Sequence, residues 1–222
     1  MIIDLSHSIK AGLITYPGLP APEITPYLTR ADSRSRYAPD TEFAMDTITM
    51  IGNTGTYLDS PFHRYESGGD LASLDLETLV DLPAVVVHVP ERAKRGVEVS
   101  DLPEQIDSGS AVLIHTGWDR LFGSAAYGTD APFVTAEATA FLVESRVALV
   151  GIDSVNIDDI SADAQGARPA HSMLLANGIH VVEHLTKLEN LPEAGARFTA
   201  VPPKVEGFGT FPVRAFAVIA EE

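Results

Sequence analysis

The chain has 222 residues, 45% of them apolar, and a formal charge of −16 at neutral pH. This acidic excess repels phosphate backbones, so nucleic acid is excluded as an expected partner. The sequence has no cysteine, which excludes disulfides, thiolate nucleophiles and cysteine-ligated metal centres.

The hydropathy and the first residues indicate a protein of the cytoplasm. No apolar run approaches the roughly 18 residues that a membrane span requires. The opening MIIDLSHSIK lacks the basic region and apolar stretch of a signal peptide. We therefore expect a cytoplasmic protein with no membrane partner, folded as a single domain over residues 1–222.

Segments rich in valine and isoleucine, bounded by turn-forming residues, predict strands along the whole chain. In order, they are 2–9, 43–50, 84–89, 111–116, 147–152, 179–183 and 213–220. Helices are predicted at 100–106, 135–145 and 168–176, where capping residues precede apolar positions. Strands alternating with short helices and proline-rich links predict an α/β domain. Its core is expected to be a mixed sheet or barrel rather than a doubly wound sheet.

The stretch NTGTYLDSPFH, residues 53–63, is the first candidate for chemistry. A glycine and a proline within it favour an extended chain, in which alternate side chains share a face. Asn53, Tyr57 and Asp59 would then point the same way, and His63 would return to the same cleft. The alternative is a strand end followed by a turn, with Asp59 capping backbone amides.

The second candidate cluster is His171 with GIHVVEHL, residues 178–185. Its H-x-x-E-H spacing matches a class of helical zinc proteases, but Ile-His-Val-Val favours a strand. In a strand, Glu183 faces away from His180 and His184. We therefore expect Glu183 to point inwards beside His171. For His180 and His184, the structural alternative is a half-exposed strand surface.

The remaining signals are weaker. His7 lies near the first strand, and His88, within AVVVHV, is expected to be a structural histidine. His115 lies at a strand end, where α/β proteins usually hold their sites. Asp153 is expected to cap a turn near the site. Serine-hydrolase, Walker and dinucleotide-binding motifs are absent from the sequence.

Six segments in the same order and spacing make the chain resemble the cyclase family, whose best-known members are bacterial kynurenine formamidases and isatin hydrolases. They are DLSHSIKAGLITYPG, NTGTYLDSPFH, VLIHTGWDRLF, VALVGIDSVNID, HSMLLANGIHVVEHLTKLENL and FPVRAFAVIA. The resemblance covers nearly the full length. It implies a single-domain cyclase fold, with a mixed or barrel-like sheet flanked by short helices, that forms a homodimer or homotetramer.

The family signature H-x-G-T-H-x-D-x-P-x-H departs from this sequence at two metal ligands. Its first two histidines fall on Asn53 and Tyr57, while its Asp and last His fall on Asp59 and His63. The resemblance implies that His63 transfers protons and that Asp59 binds metal. Two further metal ligands of the family, a His and a Glu, match His171 and Glu183. An amide oxygen is a weak ligand, and a phenol with a pKa of about 10 must first lose its proton.

Three readings follow from this departure. The first is a hydrolase of a non-peptide C–N bond, an N-formyl or cyclic amide, assisted by one zinc or manganese ion at Asp59, His171 and Glu183, and Asn53 as a further ligand. The second is a metal-free acid–base enzyme of the same fold, a lyase, dehydratase or ring-opening enzyme that uses Tyr57 and His63. The third is a non-catalytic binding protein.

A small molecule is the expected partner in every case. Three aromatic side chains are candidates for its pocket, namely Tyr16, Phe62 and Trp118. Under the first reading, the catalytic residues are His63, Tyr57 and Asp59. The resemblance to kynurenine formamidases implies a role in tryptophan catabolism.

Overall fold

The computed structural model describes residues 1–90 and 94–220. Their strands are β1 (Ile2–Asp4), β2 (Glu23–Leu28), β3 (Met45–Thr49), β4 (Tyr57–Asp59), β5 (Leu82–His88), β6 (Gly96–Val97), β7 (Ala111–His115), β8 (Phe133–Val134), β9 (Leu149–Ile152), β10 (His180–Glu183), β11 (Ala196–Thr199), β12 (Thr210–Pro212) and β13 (Phe216–Ile219). The helices are α1 (Arg30–Ser33), α2 (Ala136–Glu144) and α3 (Pro169–Ala176). Short 3₁₀ turns connect several of these elements.

Nine strands form one mixed sheet in the order β1-β13-β11-β5-β7-β9-β10-β4-β12. The central strands β5, β7, β9 and β10 are parallel, and the flanking pairs are antiparallel. The sheet curls into a half-barrel, and a bridge between Ser6 and Leu185 joins the segment after β1 to the end of β10. The predicted α/β class with a mixed, barrel-like sheet and short helices is confirmed.

Apolar side chains cover both faces of the central strands. Along β7, Ala111 and Leu113 pack into one core cluster, while Val112 and Ile114 pack into another beneath α2 and α3. Strands buried on both faces appear as continuous apolar runs, which explains why they were predictable. No helix in the described ranges has the length and apolar character needed to cross a membrane.

Helix ends follow the predicted capping signals in two cases of three. The Thr135 side chain accepts a hydrogen bond from the Ala138 amide at the start of α2, and Pro169 occupies the first position of α3. The predicted helix at 100–106 is wrong, since only a 3₁₀ turn, Val99–Asp101, forms there. Pro103 follows Leu102 and holds it in an extended conformation, which ends the turn.

The first strand, Ile2–Asp4, is shorter than the predicted 2–9 because a side chain takes the place of the next backbone hydrogen bond to the neighbouring segment. Beyond β1, the Ser6 hydroxyl accepts a hydrogen bond of 2.7 Å from the Ala215 amide. The predicted strand at 43–50 corresponds to β3, which pairs only with β2, outside the large sheet. The prediction that residues 1–222 form one domain stays a prediction.

Candidate active site

A cavity of about 610 Å³ opens beside strands β4 and β10. We call its buried lining residues Tyr57, His171 and Glu183 the floor, and the part-exposed His63 also lines it. Its remaining wall residues are Tyr16, Leu19, Asn53, Arg64, Asn156, Gly166, Ala167, Arg168 and Ser172. The two sequence clusters that carried chemical signals therefore meet in one place.

Strand pairing explains how they meet. β4 lies between β10 and β12, and it is antiparallel to both. Tyr57 stands directly opposite Glu183 on β10, and Asp59 stands opposite Thr210 on β12. Tyr57 and Asp59 are two residues apart, so their side chains leave the strand on the same face, as predicted.

The Tyr57 phenol is buried and bonded to Glu183. Its hydroxyl donates to Glu183 Oε2 over 2.6 Å, and the Asn53 side chain also hydrogen-bonds to it. Burial and the nearby Glu183 charge raise the pKa of Tyr57 well above its usual value. Tyr57 is therefore a neutral hydrogen-bond donor, and Asn53 is engaged with it.

Glu183 is held at both carboxylate oxygens. Besides the Tyr57 contact, Oε1 accepts a 2.6 Å hydrogen bond from the Ile157 amide. Burial raises the pKa of Glu183 to about 7, although the positive charge of His171 opposes this. As predicted, Glu183 faces inwards beside His171, with Oε1 3.6 Å from His171 Nε2.

Asp158 fixes the orientation of His171. One oxygen of Asp158 lies 2.7 Å from His171 Nδ1, and its carboxylate also accepts the amides of Ala170 and His171 at the start of α3. His171 Nε2 is thereby directed at Asp59 and Glu183, 3.5 Å from Asp59 Oδ2. Burial alone would lower the pKa of His171, but Glu183, Asp158 and Asp59 outweigh it and raise the pKa to about 10.

Thr210 links Asp59 to His63. Its hydroxyl donates a short hydrogen bond to Asp59 Oδ1 and lies 2.7 Å from His63 Nδ1. Since that single hydroxyl proton goes to Asp59, the network assigns the imidazole proton to Nδ1 of His63. The Nε2 atom is then the basic nitrogen of a partly exposed ring.

The donor atoms at this site fit a cation. Asp59, His63 and His171 each offer one ligand atom, and these atoms lie within 4.8 Å of one another. Asp59 Oδ2 is buried without a hydrogen-bond partner. A carboxylate that orients a histidine, as Asp158 does, is the usual support of a metal-binding imidazole.

The structure thus brings the predicted ligands together, but the group of possible ligand atoms includes His63 rather than Glu183. Asp59 and His171 face each other, and His63, which was predicted for proton transfer, belongs to the same group. Glu183 is adjacent, but both of its oxygens already accept hydrogen bonds. The structure adds Asp158 and Thr210, which no local sequence pattern marked.

Of the three predicted pocket aromatics, Tyr16 lines this cavity. Phe62 lines a second cavity, which it shares with the site residues Asn53, His63 and Thr210. Trp118 lies elsewhere, where its indole donates 2.8 Å to the Tyr127 carbonyl and its ring packs against a separate apolar cluster. The structure does not bring Phe62 or Trp118 to the floor residues.

The other histidines have structural surroundings. The segment 180–183 is a strand, so the protease pattern has no helix to carry it. The alternative of a half-exposed surface for His180 and His184 is wrong, because both are buried. His184 leaves the strand in the left-handed region (φ 57°), and its ring turns inwards to a 2.8 Å contact with the Tyr127 hydroxyl.

His88 and His115 contact each other, and His7 stacks on an aromatic ring. The Nδ1 atoms of His88 and His115 are 2.9 Å apart, and His88 Nε2 contacts the Leu191 carbonyl. His7 lies flat on Phe122 with 3.7 Å between ring centroids. Asp153 accepts the amides of Thr116 and Gly117, so it caps the turn after β7.

Replacing His180 by glutamine is expected to make the fold less sensitive to acid. Burial lowers the pKa of His180 to about 4, whereas the unfolded chain takes up a proton below about pH 6.5. The contribution of neutral His180 to the free energy of unfolding is therefore fully present above about pH 6.5, and it falls by about 1.4 kcal/mol per pH unit towards pH 4. Glutamine can keep the contact of His180 Nε2 with Thr78 Oγ1 (3.0 Å) without titrating.

Urea unfolding at pH 7.5 and pH 4.5 measures the effect. The free energy of unfolding should drop by about 2 kcal/mol less in His180→Gln than in the native protein. Equal drops in the two proteins would contradict the assignment of a neutral, buried His180.

Comparisons with known proteins match most of the chain. The family model for cyclases matches residues 3–159. A kynurenine formamidase of Geobacillus thermodenitrificans (strain NG80-2) is 29% identical over 215 residues, which cover 96% of this chain and 95% of the relative. The sequence similarity thus extends over nearly all of both chains.

Solved structures share the fold. Isatin hydrolase A from Ralstonia solanacearum superposes with a TM-score of 0.84 at 24% identity, covering 99% of this chain and 92% of the other. A structure described as a "potential metal-dependent hydrolase with cyclase activity" has a TM-score of 0.77 at 23% identity, with 100% and 99% coverage. The curled sheet and its short helices are common to all of them.

Proposed function

The chain belongs to the cyclase family, and from this we propose that it hydrolyses a non-peptide C–N bond in an N-formyl or cyclic amide. A relative that matches over nearly its whole length is a kynurenine formamidase, and a protein with the same fold is an isatin hydrolase. The observation that carries the proposal is the group of Asp59, His63 and His171, in which Asp59 Oδ2 has no hydrogen-bond partner and lies 3.5 Å from His171 Nε2.

The residues that would hold one divalent cation are Asp59 and His171, with Glu183 beside them. Bound there, a zinc or manganese ion would polarise the amide carbonyl and make water a better nucleophile. Asp158 keeps His171 Nε2 directed at Asp59 and Glu183. Thr210 engages the other Asp59 oxygen, so Oδ2 alone remains for the cation.

Proton transfer is assigned to His63. Its Nδ1 faces Thr210 at 2.7 Å, which leaves Nε2 to take a proton from water and return it to the departing nitrogen. Tyr57 keeps its phenolic proton because burial raises its pKa. It therefore acts as a hydrogen-bond donor that holds Glu183.

Gly209→Ala should reduce the hydrolytic rate by moving His63. A methyl group at this position would lie 2.6 Å from the His63 amide nitrogen and 2.7 Å from its Cα. A displacement of about 1 Å in a catalytic group can cost about a hundredfold in rate. Gly69→Ala is the matched control, since its methyl meets the Ser73 side chain at 3.2 Å. Equal rates for both variants would contradict this role of Gly209.

One observation favours the metal-free alternative. Asn53 and Tyr57 stand where the family signature has two histidines, and the Tyr57 hydroxyl is already bonded to Glu183 at 2.6 Å. A phenol, a carboxyl group with a pKa raised to about 7 and His63 form an acid–base set in one cavity. Such a set suits a lyase, dehydratase or ring-opening reaction.

The two proposals separate in one experiment. Protein purified without chelator is analysed for metal, then assayed with an aryl formamide and with isatin before and after chelation and reloading with zinc or manganese. Activity that chelation removes and metal restores supports the metal-assisted hydrolase. Activity that persists without metal but disappears in Tyr57→Phe supports the alternative. Inactivity towards both substrates with either metal contradicts the proposed hydrolysis.

We also propose that the protein is a homodimer or homotetramer that associates through β2 and β3. Ile24 and Ile48 stand directly opposite each other on this ribbon, 45% and 47% exposed. A two-stranded ribbon is marginally stable alone, and a symmetric contact would let each copy cover the other. Light scattering should give the mass of two or four chains, reduced by Ile48→Asp. A native protein with the mass of one chain would contradict this proposal.

A further inference from the structure

Two histidine side chains contact each other at the carboxyl ends of adjacent parallel strands, outside the candidate active site. His88 ends β5 and His115 ends β7, and the two residues stand opposite each other in the strand register. Their Nδ1 atoms lie 2.9 Å apart. The carboxyl ends of parallel strands are where α/β proteins usually hold their sites, and the proposed chemistry beside β4 and β10 does not involve this pair.

The backbone holds both histidines in place. Val89 donates its amide to the His115 carbonyl over 2.8 Å, which joins the two strand ends. The Asp153 carboxylate accepts the amide of Thr116, directly after His115. His115 is 7% exposed and His88 is half-buried, so the pair lies just below the surface. Side chains on fixed strand ends are suited to hold a ligand in one geometry.

A backbone carbonyl fixes the position of the proton on His88. His88 Nε2 lies 3.1 Å from the Leu191 carbonyl oxygen. A carbonyl only accepts hydrogen bonds, so the imidazole proton of His88 is on Nε2 and its Nδ1 carries a lone pair. A histidine that binds a metal usually donates its other ring N–H to a carbonyl or carboxylate in this way.

His115 is suited to act as the second neutral ligand. Burial and the neighbouring His88 lower the pKa of His115, so its ring is uncharged at neutral pH. In the metal-free pair, the His115 proton lies between the two Nδ1 atoms. Moving that proton to Nε2 frees a second lone pair without a net loss of protons. The negative charges of Glu189 and Asp119 act on His115 and favour a cation at this position.

The separation of the two nitrogens indicates the coordination geometry. With metal–nitrogen bonds of about 2.0–2.1 Å, two nitrogens 2.9 Å apart subtend about 90° at the metal. Neighbouring ligands make this angle in square-planar and tetragonal complexes, which Cu²⁺ and Ni²⁺ favour. Tetrahedral Zn²⁺ would need about 3.3 Å between the same nitrogens.

We propose that His88 and His115 bind one Cu²⁺ or Ni²⁺ ion through their Nδ1 atoms, with water at the remaining positions. The site is separate from the group of Asp59, His63 and His171, and it does not depend on the proposed hydrolysis. A bound ion would join β5 to β7. It would therefore stabilise the native protein by an amount that grows with the metal concentration.

The binding test uses Asp59→Asn as the parent protein, because this change disables the other candidate metal site. Titration calorimetry with Ni²⁺ alone should reveal a site that survives Asp59→Asn. Adding His88→Gln or His115→Gln should weaken that site by about a hundredfold or more, since even the loss of an indirect partner of a metal ligand costs about 10–100-fold. His180→Gln, a buried histidine elsewhere, is the matched control and should leave the affinity unchanged.

The choice of metal gives a second readout. Zn²⁺ should bind to this site about tenfold more weakly than Ni²⁺, because its tetrahedral preference does not match the spacing. Pulsed EPR of the parent protein loaded with Cu²⁺ should detect two imidazole ligands, and one after His115→Gln. Zn²⁺ binding as tight as Ni²⁺ binding, or two imidazoles that persist in His115→Gln, would overturn the proposal.

Thermal denaturation distinguishes a lost ligand from a damaged fold. Without metal, the half-buried His88→Gln variant should melt within a few degrees of its parent. Ni²⁺ should raise the Tm of the parent and of His180→Gln, but not that of His88→Gln. A Ni²⁺-dependent rise of the same size in His88→Gln would show that the ion binds elsewhere, and the proposal would be wrong.

Discussion

Asp59→Asn is expected to reduce kcat/KM for amide hydrolysis by about a thousandfold or more, which corresponds to about 4 kcal/mol of lost transition-state stabilisation. Asp59 is fully buried between β10 and β12. Its Oδ1 accepts the Thr210 hydroxyl, and its Oδ2 has no hydrogen-bond partner. The asparagine side chain of the variant has no negative charge to attract a cation. Its single oxygen can either accept the Thr210 hydroxyl or face the cation, but not both.

The measurement combines steady-state kinetics with elemental mass spectrometry of the same preparation. Asp163→Asn, an exposed residue, should retain the native rate and metal content. Loss of activity together with metal assigns Asp59 to the cation. If the native protein holds no metal and Asp59→Asn is still inactive, Asp59 belongs to an acid–base site instead. Activity within about tenfold of native would contradict both roles.

Phe198→Ala is expected to have the largest effect on stability, lowering the free energy of unfolding by about 3–5 kcal/mol. Phe198 is 0% exposed on β11, where it pairs with Leu82 of β5 and Ala217 of β13. Removing its ring leaves a void in the core beneath the curled sheet. The loss is a large fraction of the 5–15 kcal/mol that typically holds a protein folded.

Urea denaturation at pH 7.5 checks this value. Val218→Ala is the control on the adjacent strand, since Val218 is 37% exposed and its truncation should cost less than about 1 kcal/mol. A loss below about 1 kcal/mol in Phe198→Ala would show that the core closes around the void.

The central strands could be predicted because burial on both faces makes them apolar throughout. β7 and β9 lie within one or two residues of the predicted 111–116 and 147–152. The capped helix α2 was predictable for a similar reason, since its Thr135 cap acts on neighbouring residues. In each of these cases the information is local.

Other elements depend on partners that are distant in the chain. β12 spans Thr210–Pro212, and its proline and short length give no strand signal by themselves. It forms because it pairs with β4, about 150 residues earlier. Thr210, which touches both Asp59 and His63, was invisible in the sequence for the same reason.

The half-exposed surface considered for His180 and His184 was wrong for a different physical reason. That interpretation assumed a strand with one exposed face, whereas every residue of β10, including His180, is buried. The strand also ends at Glu183, and His184 adopts a positive φ. Asp158 was missed because its role requires α3 to begin 11 residues later in the chain. The residue types in the sequence were enough to predict the kind of chemistry. Which of these side chains share a cavity depends on the pairing of strands, which the sequence does not reveal locally.

The long-range strand pairing also governs when the site appears during folding. The Tyr57–Glu183 contact joins residues 126 positions apart, and the Asp59–Thr210 contact joins residues 151 apart. Closing such long loops costs chain entropy before any contact compensates for it, so topologies of this kind fold slowly. A nascent chain that ends before Glu183 lacks the partner strand of β4, and a cation would have no preformed cradle to bind. Under the proposed metal-assisted function, a cation would therefore bind only after both partner strands of β4 have been made, and the availability of metal would not direct the early steps of folding.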